Sequence, residues 1–223
     1  MKQEFSAILL DLDGTLLDTE TVAQRAWIQA ANEFGYDFDG ETYLTLLGRT
    51  IEGAQAILRE TFGDAFPYEE CRARRVELSR EDFALNGVRV KHGGKELLTH
   101  LSDRKIKRAV ATSTRKVEAL KKIELAGIAP HLEIGAFGDE VLNGKPDPEI
   151  YLLAAERLGV DPSLCLVFED SEAGAEGAYR AGMKCLFVPD LKHPSEGAKD
   201  FIHAVLPSLE EAIGYIQDNF DYK

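Results

Sequence analysis

Acidic side chains follow two of the apolar segments of this chain directly. Asp11 and Asp13 come after the run FSAILL at 5–10, and Glu169 and Asp170 come after a later run. Closely spaced carboxylates repel one another unless a cation lies among them, and Mg²⁺ prefers a few carboxylate oxygens together with phosphate and water. The pattern therefore predicts a magnesium site formed by Asp11, the backbone carbonyl of Asp13 and Asp170, with Glu169 either a ligand or in the layer behind them.

The same residues are suited to phosphoryl transfer. A carboxylate at the end of a strand, such as Asp11, can act as a nucleophile and form an aspartyl phosphate. Asp13, two residues later, can serve as general acid and base. Thr112 and the amide of Ser113 can bind phosphate oxygens where a helix begins, and Lys145 can neutralise charge on Asp11 and on the transferring group.

The elements that must position these side chains are indicated by alternating apolar and amphipathic segments from Gly87 onward. This alternation predicts an α/β fold with a parallel sheet and helices on both faces. Strands are predicted at 5–10, 106–111, 133–136, 164–168, 184–188 and 203–206. Helices are predicted at 94–101, 115–125, 148–158, from Ser171 to 181, and after a cap at Ser208.

Residues 18–86 have a different, helical pattern without a convincing strand. Gly35 is a plausible end for the first helix, and Thr50 is suited to cap a helix that runs to about Phe62. Pro67 fits the first turn of a further helix that ends near Leu85. We therefore expect a helical insert after the first strand, joined to the sheet by short connections.

In a parallel sheet, ligands bind outside the carboxyl ends of the strands. Asp11, Thr112 and Glu169 are each predicted at or just after such an end, and Lys145 lies in the loop after the third strand. We therefore expect carboxylates, hydroxyls and one ammonium group to meet in a single crevice.

Composition excludes several classes of partner. The 223 residues contain 26 Lys and Arg against 39 Asp and Glu, a formal net charge of −13. The resulting negative electrostatic field repels phosphate backbones and anionic lipid headgroups, so nucleic acid and membrane surfaces are not expected partners.

Cys71, Cys165 and Cys185 form no CxxC motif, and the apolar run near the amino terminus is too short for a signal peptide. These features predict a cytoplasmic protein.

The ordered motifs resemble those of the haloacid dehalogenase (HAD) hydrolases. Asp11-Leu12-Asp13-Gly14-Thr15 is similar to the first motif, Thr112 to the second, Lys145-Pro146 to the third, and Glu169-Asp170-Ser171 with Gly174 to the fourth. The resemblance implies a Rossmann-like core over 1–16 and 88–223. It also implies a mobile helical cap over 17–87, as in β-phosphoglucomutase and sugar-phosphate phosphatases. Gly14, Thr112, Ser113 and Lys145 would then bind phosphate.

Within this superfamily, the second aspartate separates phosphoryl transfer from dehalogenation, so Asp13 favours phosphoryl transfer. We expect a Mg²⁺-dependent phosphatase of a small sugar or polyol phosphate. A β-phosphoglucomutase-like isomerase is the alternative. Mutases usually carry a cap histidine where this chain has Ala23, and their phosphate-gripping arginine has no clear match. Arg49 nevertheless remains a candidate for binding an anionic part of the substrate.

A third possibility is a protein of the same fold that binds a metabolite or regulates without catalysis. Degenerate members are expected to lose at least one signature residue, but Asp11, Asp13, Lys145 and Asp170 are all present. We expect a monomer or a weak homodimer.

Overall fold

The computed structural model describes residues 2–49, 51–132 and 134–223. The chain divides into two compact units. The first consists of Met1–Asp18 and Val88–Lys223, and the second of Thr19–Gly87. Each unit is described separately below.

The first unit contains a parallel β-sheet. Over the described residues its six strands lie in the order β4-β3-β2-β5-β6-β7. The strands are β2 (Ala7–Leu10), β3 (Lys107–Thr112), β4 (Gly135–Phe137), β5 (Cys165–Glu169), β6 (Lys184–Phe187) and β7 (Ile202–Val205). All four residues of β2 are fully buried, so both faces of the sheet are covered at its centre.

Helices flank this sheet. They are α5 (Gly94–Asp103), α6 (Lys116–Leu125), α7 (Glu149–Leu158), α8 (Glu172–Arg180) and α9 (Ala212–Asn219), where α1–α4 denote the helices of the second unit. Short 3₁₀ turns lie at Ala129–His131, Pro162–Leu164 and Glu196–Phe201. Ala7 and Leu9 belong to the same buried cluster as residues of α7 and α8, because alternate strand residues point to one face. This arrangement confirms the predicted α/β class and its parallel sheet.

The predicted first strand at 5–10 is divided in two. Ser6 separates β1 (Gln3–Phe5) from β2, and its N–H donates to the Leu164 carbonyl. β1 pairs in parallel with β8 (Phe220–Tyr222), where the ring of Phe5 contacts the rings of Phe220 and Tyr222. This small second sheet was not predicted, because its partners are separated by more than 200 residues.

The final helix begins later than predicted. Ser208 does not cap it; α9 starts at Ala212, after Glu211. Leu209 and Ala212 are buried, so tertiary packing of the intervening segment outweighs the local capping preference of Ser208. The other predicted elements of this unit agree with the structure to within a few residues. Glu133, the predicted start of the third strand, lies outside the described residues.

The second unit is helical. It consists of α1 (Glu20–Glu33), α2 (Gly40–Leu46), α3 (Ile51–Phe62) and α4 (Tyr68–Asn86). Trp27 of α1 stacks on Phe38 at 5.8 Å between ring centroids and contacts Tyr68 of α4 at 5.9 Å. Aromatic packing between helices therefore forms the centre of this unit. Thr50, the predicted cap of α3, lies outside the described residues.

Among the helices in the described part of the chain, none combines the length and apolar character needed to cross a bilayer.

Candidate active site

Asp11 lies one residue beyond β2, at the centre of the carboxyl edge of the sheet. Its N–H donates to the Phe168 carbonyl, which fixes the backbone against β5. The side chain is buried, and its Oδ1 accepts a 2.5 Å hydrogen bond from Lys145 Nζ. Lys145 also donates to Glu169 Oε1 at 2.5 Å and to the Ala111 carbonyl at 3.1 Å. A single ammonium group thus joins the ends of β2, β3 and β5.

Glu169, at the end of β5, is fully buried and accepts several hydrogen bonds from the protein. Besides Lys145, the Tyr151 hydroxyl donates to Oε1 at 2.7 Å. Oε2 accepts from the N–H groups of Asp170 and Ser171 and from the Ser171 hydroxyl, at 2.8–3.1 Å. Because five donors already occupy its two oxygens, Glu169 is better placed to orient its neighbours than to bind a metal ion directly.

Asp170 is positioned by residues of the first motif. The Thr15 hydroxyl donates to its Oδ1 at 2.6 Å. Gly14 has a φ of +84°, and a Cβ at this position would lie 2.4 Å from Asp170 Oδ2. Glycine is therefore required at 14 both for its backbone conformation and for the approach of the carboxylate.

Asp13 points its carboxylate toward the segment after β3. Thr114 Oγ1 donates to Oδ2 at 2.5 Å, and Lys122 Nζ donates to Oδ1 at 2.6 Å. The side chains of Asp13 and Lys122 are each 21% exposed, in contrast to the buried Asp11 and Lys145. Asp13 is therefore the more accessible of the two aspartates in the first motif.

Thr112 and Ser113 stand at the end of β3, beside Asp11, as expected. The Thr112 hydroxyl accepts a 3.1 Å hydrogen bond from the Thr114 N–H and so stabilises the turn that leads to α6. Ser113 is exposed. α6 begins at Lys116, so the turn between β3 and α6 presents Ser113 ahead of the helix.

Burial and crowding change the protonation of the cluster. Burial, opposed by Lys145 and reinforced by Glu169, raises the pKa of Asp11 to about 8. Burial, reinforced by the carboxylates of Glu169 and Asp11, raises the pKa of Asp170 well above its usual value. Burial favours the neutral form of Glu169 as well, but Lys145 and the hydrogen bonds outweigh it and lower the pKa. The Lys145 pKa is raised because Asp11 and Glu169 outweigh the effect of burial.

These carboxylates fit a divalent cation. Oxygen atoms of Asp11, Glu169 and Asp170 all lie within 4.8 Å of one another. Lys145 alone cannot balance three carboxylates, and burial together with the neighbouring carboxylates raises the pKa values of Asp11 and Asp170. Hard oxygen donors with an uncompensated charge are typical of a Mg²⁺ site.

Arg49 belongs to the second unit, in the exposed segment after α2, where its N–H donates to the Leu46 carbonyl. The sequence interpretation missed four side chains that hold the acidic residues: Thr15, Thr114, Lys122 and Tyr151. Thr15 lies within the first motif and could have been included on that basis. Tyr151 occupies an apolar helical position that resembles ordinary core, and Lys122 lies in a helix rich in lysine, so neither carried a local signal.

The parallel sheet and the aspartate-lysine-carboxylate cluster at its carboxyl edge define a Rossmann-like α/β protein with a buried acidic site. The family model of the haloacid dehalogenase-like hydrolases matches residues 5–182. The chain therefore belongs to the haloacid dehalogenase-like hydrolase family, and it is an enzyme of that family.

Known relatives agree with this assignment. The chain is 34% identical to the phosphorylated carbohydrates phosphatase of Thermotoga maritima, over 81% of this chain and 83% of the relative. It is 31% identical to the fructose-1-phosphate phosphatase YqaB of Escherichia coli, over 84% and 98% of the two chains. Its fold matches the β-phosphoglucomutase crystal structure from Clostridium difficile with a TM-score of 0.72 and 25% identity, covering 96% of each chain.

Proposed function

We propose that the protein is a Mg²⁺-dependent phosphatase that acts on a small sugar or polyol phosphate through an aspartyl-phosphate intermediate. The observation that carries the proposal is the pairing of a buried Asp11, held by Lys145, with a more exposed Asp13 two residues away. We assign the attack to the buried carboxylate and proton transfer to the more exposed one, which is the division of labour that phosphate-ester cleavage requires. Two relatives named for phosphorylated carbohydrates support the substrate class.

In the first step, an oxygen of Asp11 attacks phosphorus while the bond from phosphorus to the ester oxygen breaks. Asp13 gives its proton to the departing alcohol. Lys145 opposes the effect of burial and so favours the ionised form of Asp11, and it offers positive charge to the transferring group. Thr112, Ser113 and Gly14 are proposed to bind the phosphate oxygens.

In the second step, Asp13 takes a proton from water as the water oxygen attacks phosphorus. The bond between phosphorus and Asp11 then breaks, which releases inorganic phosphate and restores the Asp11 carboxylate. Asp13 retains the proton for the next leaving alcohol, so the proton balance closes over one cycle.

Asp11, Asp170 and the backbone carbonyl of Asp13 are proposed to hold Mg²⁺. When bound, the ion supplies positive charge that offsets the phosphate charge and the crowded carboxylates. Glu169 supports this site from behind, because its oxygens accept hydrogen bonds from Lys145, Tyr151 and Ser171.

The helical unit Thr19–Gly87 is proposed to act as the substrate-selecting cap, with Arg49 binding an anionic part of the substrate. If this is correct, Arg49→Ala raises KM for substrates with a second anionic group. An unchanged KM on every substrate contradicts the role.

A β-phosphoglucomutase-like isomerase is the second candidate, and the structural likeness to such an enzyme supports it. Ala23, where mutases usually have a histidine, favours transfer to water instead. The non-catalytic alternative is less favoured, because Asp11, Asp13, Lys145 and Asp170 are all retained and all four are joined by hydrogen bonds to their neighbours.

Phosphate release tests the proposal directly. The purified protein is incubated with Mg²⁺ or with EDTA and a panel of sugar, polyol, nucleotide and carboxylate phosphates. We expect metal-dependent release from a few related sugar or polyol phosphates. If no phosphate is released while β-glucose 1-phosphate is converted to glucose 6-phosphate, the mutase hypothesis replaces the phosphatase hypothesis. If neither reaction occurs, binding without catalysis is the better explanation.

We also propose a cytoplasmic location and a monomer or weak homodimer. Three buried, free cysteines support a reducing compartment, since none forms a disulfide in the described part of the chain. Size-exclusion chromatography with light scattering tests the oligomeric state.

A further inference from the structure

Two side chains outside the four motifs hold the carboxylate of Asp13. Lys122 Nζ lies 2.6 Å from Oδ1, and Thr114 Oγ1 lies 2.5 Å from Oδ2. Each oxygen of the carboxylate therefore has its own donor, and the two donors approach from the same chain segment. Two separate anchors fix the rotation of a carboxylate, which one anchor alone does not do.

Lys122 is itself firmly positioned. It lies in α6, where Ala119 and Ile123 on the same helix are buried in the first unit. The Asp139 carboxylate accepts from the Lys116 N–H at 2.8 Å and so fixes the start of the helix. With only 21% of the side chain exposed, the ion pair with Asp13 is less screened than a surface pair.

The two lysines of the site also serve different carboxylates. Lys145 binds Asp11 and Glu169 in the buried cluster, whereas Lys122 binds Asp13. A positive charge at the phosphoryl group is thus already provided by Lys145, and the observed partner of Lys122 is the acid/base residue.

We propose that Lys122, together with Thr114, is a positioning residue that orients the Asp13 carboxylate for proton transfer. The inference rests on the proposed phosphatase function. It concerns above all the second step, in which ionised Asp13 accepts a proton from water, water oxygen bonds to phosphorus and the phosphorus–Asp11 bond breaks. A misoriented Asp13 slows this step, whereas the attack by Asp11 is unaffected only when the leaving group departs without a proton.

4-Nitrophenyl phosphate separates the two steps. Its leaving group departs without a proton, so kcat/KM reports the attack by Asp11 and does not require Asp13. Hydrolysis of the phosphoenzyme still needs Asp13 and sets kcat once it becomes slow. General-base catalysis contributes about 10²–10⁴-fold, so partial loss of orientation is expected to lower kcat by roughly tenfold or more.

The experiment compares Lys122→Met and Lys122→Arg with the wild-type enzyme. Lys121→Met serves as the matched control, since Lys121 is exposed on the same helix. For Lys122→Met we expect kcat to fall about tenfold or more, kcat/KM to stay within about threefold, and a burst of close to one nitrophenolate per enzyme. Arginine is expected to restore most of kcat, and Lys121→Met to behave as wild type.

Equal losses of kcat and kcat/KM in Lys122→Met would assign a structural or substrate-binding role to this lysine and overturn the inference, as would unchanged kinetics. If Lys122→Met does not fold, Thr114→Val is tested instead, with Thr114→Ser as the conservative control. The same changes in kcat and kcat/KM are expected for Thr114→Val. Those outcomes leave the phosphatase proposal standing. A wild-type enzyme that releases neither nitrophenolate nor phosphate from any ester would instead overturn the proposed function and this inference together.

Discussion

The carboxyl edge of the sheet and the helical unit Thr19–Gly87 bury their polar groups in different ways. At the sheet edge, the fully buried Glu169 has five hydrogen-bond donors. In the helical unit, Thr19, Arg75 and Ser79 each carry a buried side-chain atom that has no hydrogen-bond partner among the described residues, whereas in the described part of the first unit this holds only for Oδ2 of Asp190. The interior of that unit is dominated by aromatic contacts around Trp27.

The two regions therefore depend on different interactions for their structure. Buried charges are tolerated only when paired and hydrogen-bonded, so the sheet edge is organised around the chemistry of four carboxylates. The helical unit is held by shape and apolar area, as the aromatic contacts around Trp27 show. We therefore expect substitutions in the two regions to affect different observables.

The largest expected effect is on turnover. Asp11→Asn removes the proposed nucleophile and should leave less than about a thousandth of the wild-type kcat. The variant should remain folded, because a buried carboxylate with a raised pKa is replaced by a neutral group of the same size. Phosphate release and thermal unfolding measure the two effects, with the exposed Asp64→Asn as the control. Near-normal turnover would rule out the aspartyl-phosphate route.

The second prediction concerns stability and removes the aromatic centre of the helical unit. Trp27→Ala should lower the free energy of unfolding by about 3–5 kcal/mol, whereas Trp27→Phe should cost less. Trp27 is the single tryptophan of the chain, so its fluorescence reports on this unit in the wild-type protein. Urea unfolding followed by circular dichroism measures the variants. A Trp27→Ala protein as stable as wild type would show that aromatic packing is not what holds this unit.

A smaller effect is expected where the backbone of α8 passes Glu169. A Cβ on Gly174 would lie 2.0 Å from the Glu169 carboxylate, so Gly174→Ala should destabilise the protein by about 1–3 kcal/mol and lower kcat. Gly214→Ala in α9 is the matched control, since nothing lies within 4 Å of its added Cβ. That control should be neutral or stabilising by up to about 1 kcal/mol. Equal behaviour of the two variants would contradict the proposed packing.

The smallest expected effect is the pH dependence of the metal-free protein. Asp11 binds its proton more tightly in the folded state, with a pKa of about 8 against 3.8, so the folded state holds more protons between these values. Stability should therefore fall as pH rises from 6 to 8, by on the order of 1–2 kcal/mol or about 3–6 °C in Tm. The Glu169 pKa is lowered and the Lys145 pKa is raised, so neither group titrates between pH 6 and 8, whereas burial lowers the pKa values of His100 and His203, which weakly opposes the trend.

Differential scanning calorimetry in EDTA at pH 6 and pH 8 checks this dependence. Added Mg²⁺ should stabilise more at pH 8, because the ion binds the ionised carboxylates. Asp11→Asn should flatten the pH dependence. A Tm that rises from pH 6 to pH 8 in EDTA would mean that Asp11 is already ionised without the metal.

The sequence predicted the sheet and the residues at its edge for local reasons. Apolar runs with polar residues at their carboxyl ends indicate parallel strands, and such ends meet at one edge. Asp11, Thr112 and Glu169 could therefore be assigned to one crevice without any knowledge of contacts. The pairing of β1 with β8 could not be predicted, because it joins residues that are remote in the chain. The late start of α9 could not be predicted either, because packing overrides the capping preference of Ser208.

The family, the α/β class and the identity of the acidic and basic groups follow from residue type, order and spacing, and so does the pairing of Lys145 with Asp11. The donors of the other carboxylates depend on tertiary packing. Lys122 reaches Asp13 across 109 residues and Tyr151 reaches Glu169 from an apolar helix face. No local pattern encodes such pairs, because they arise where separately formed elements pack together.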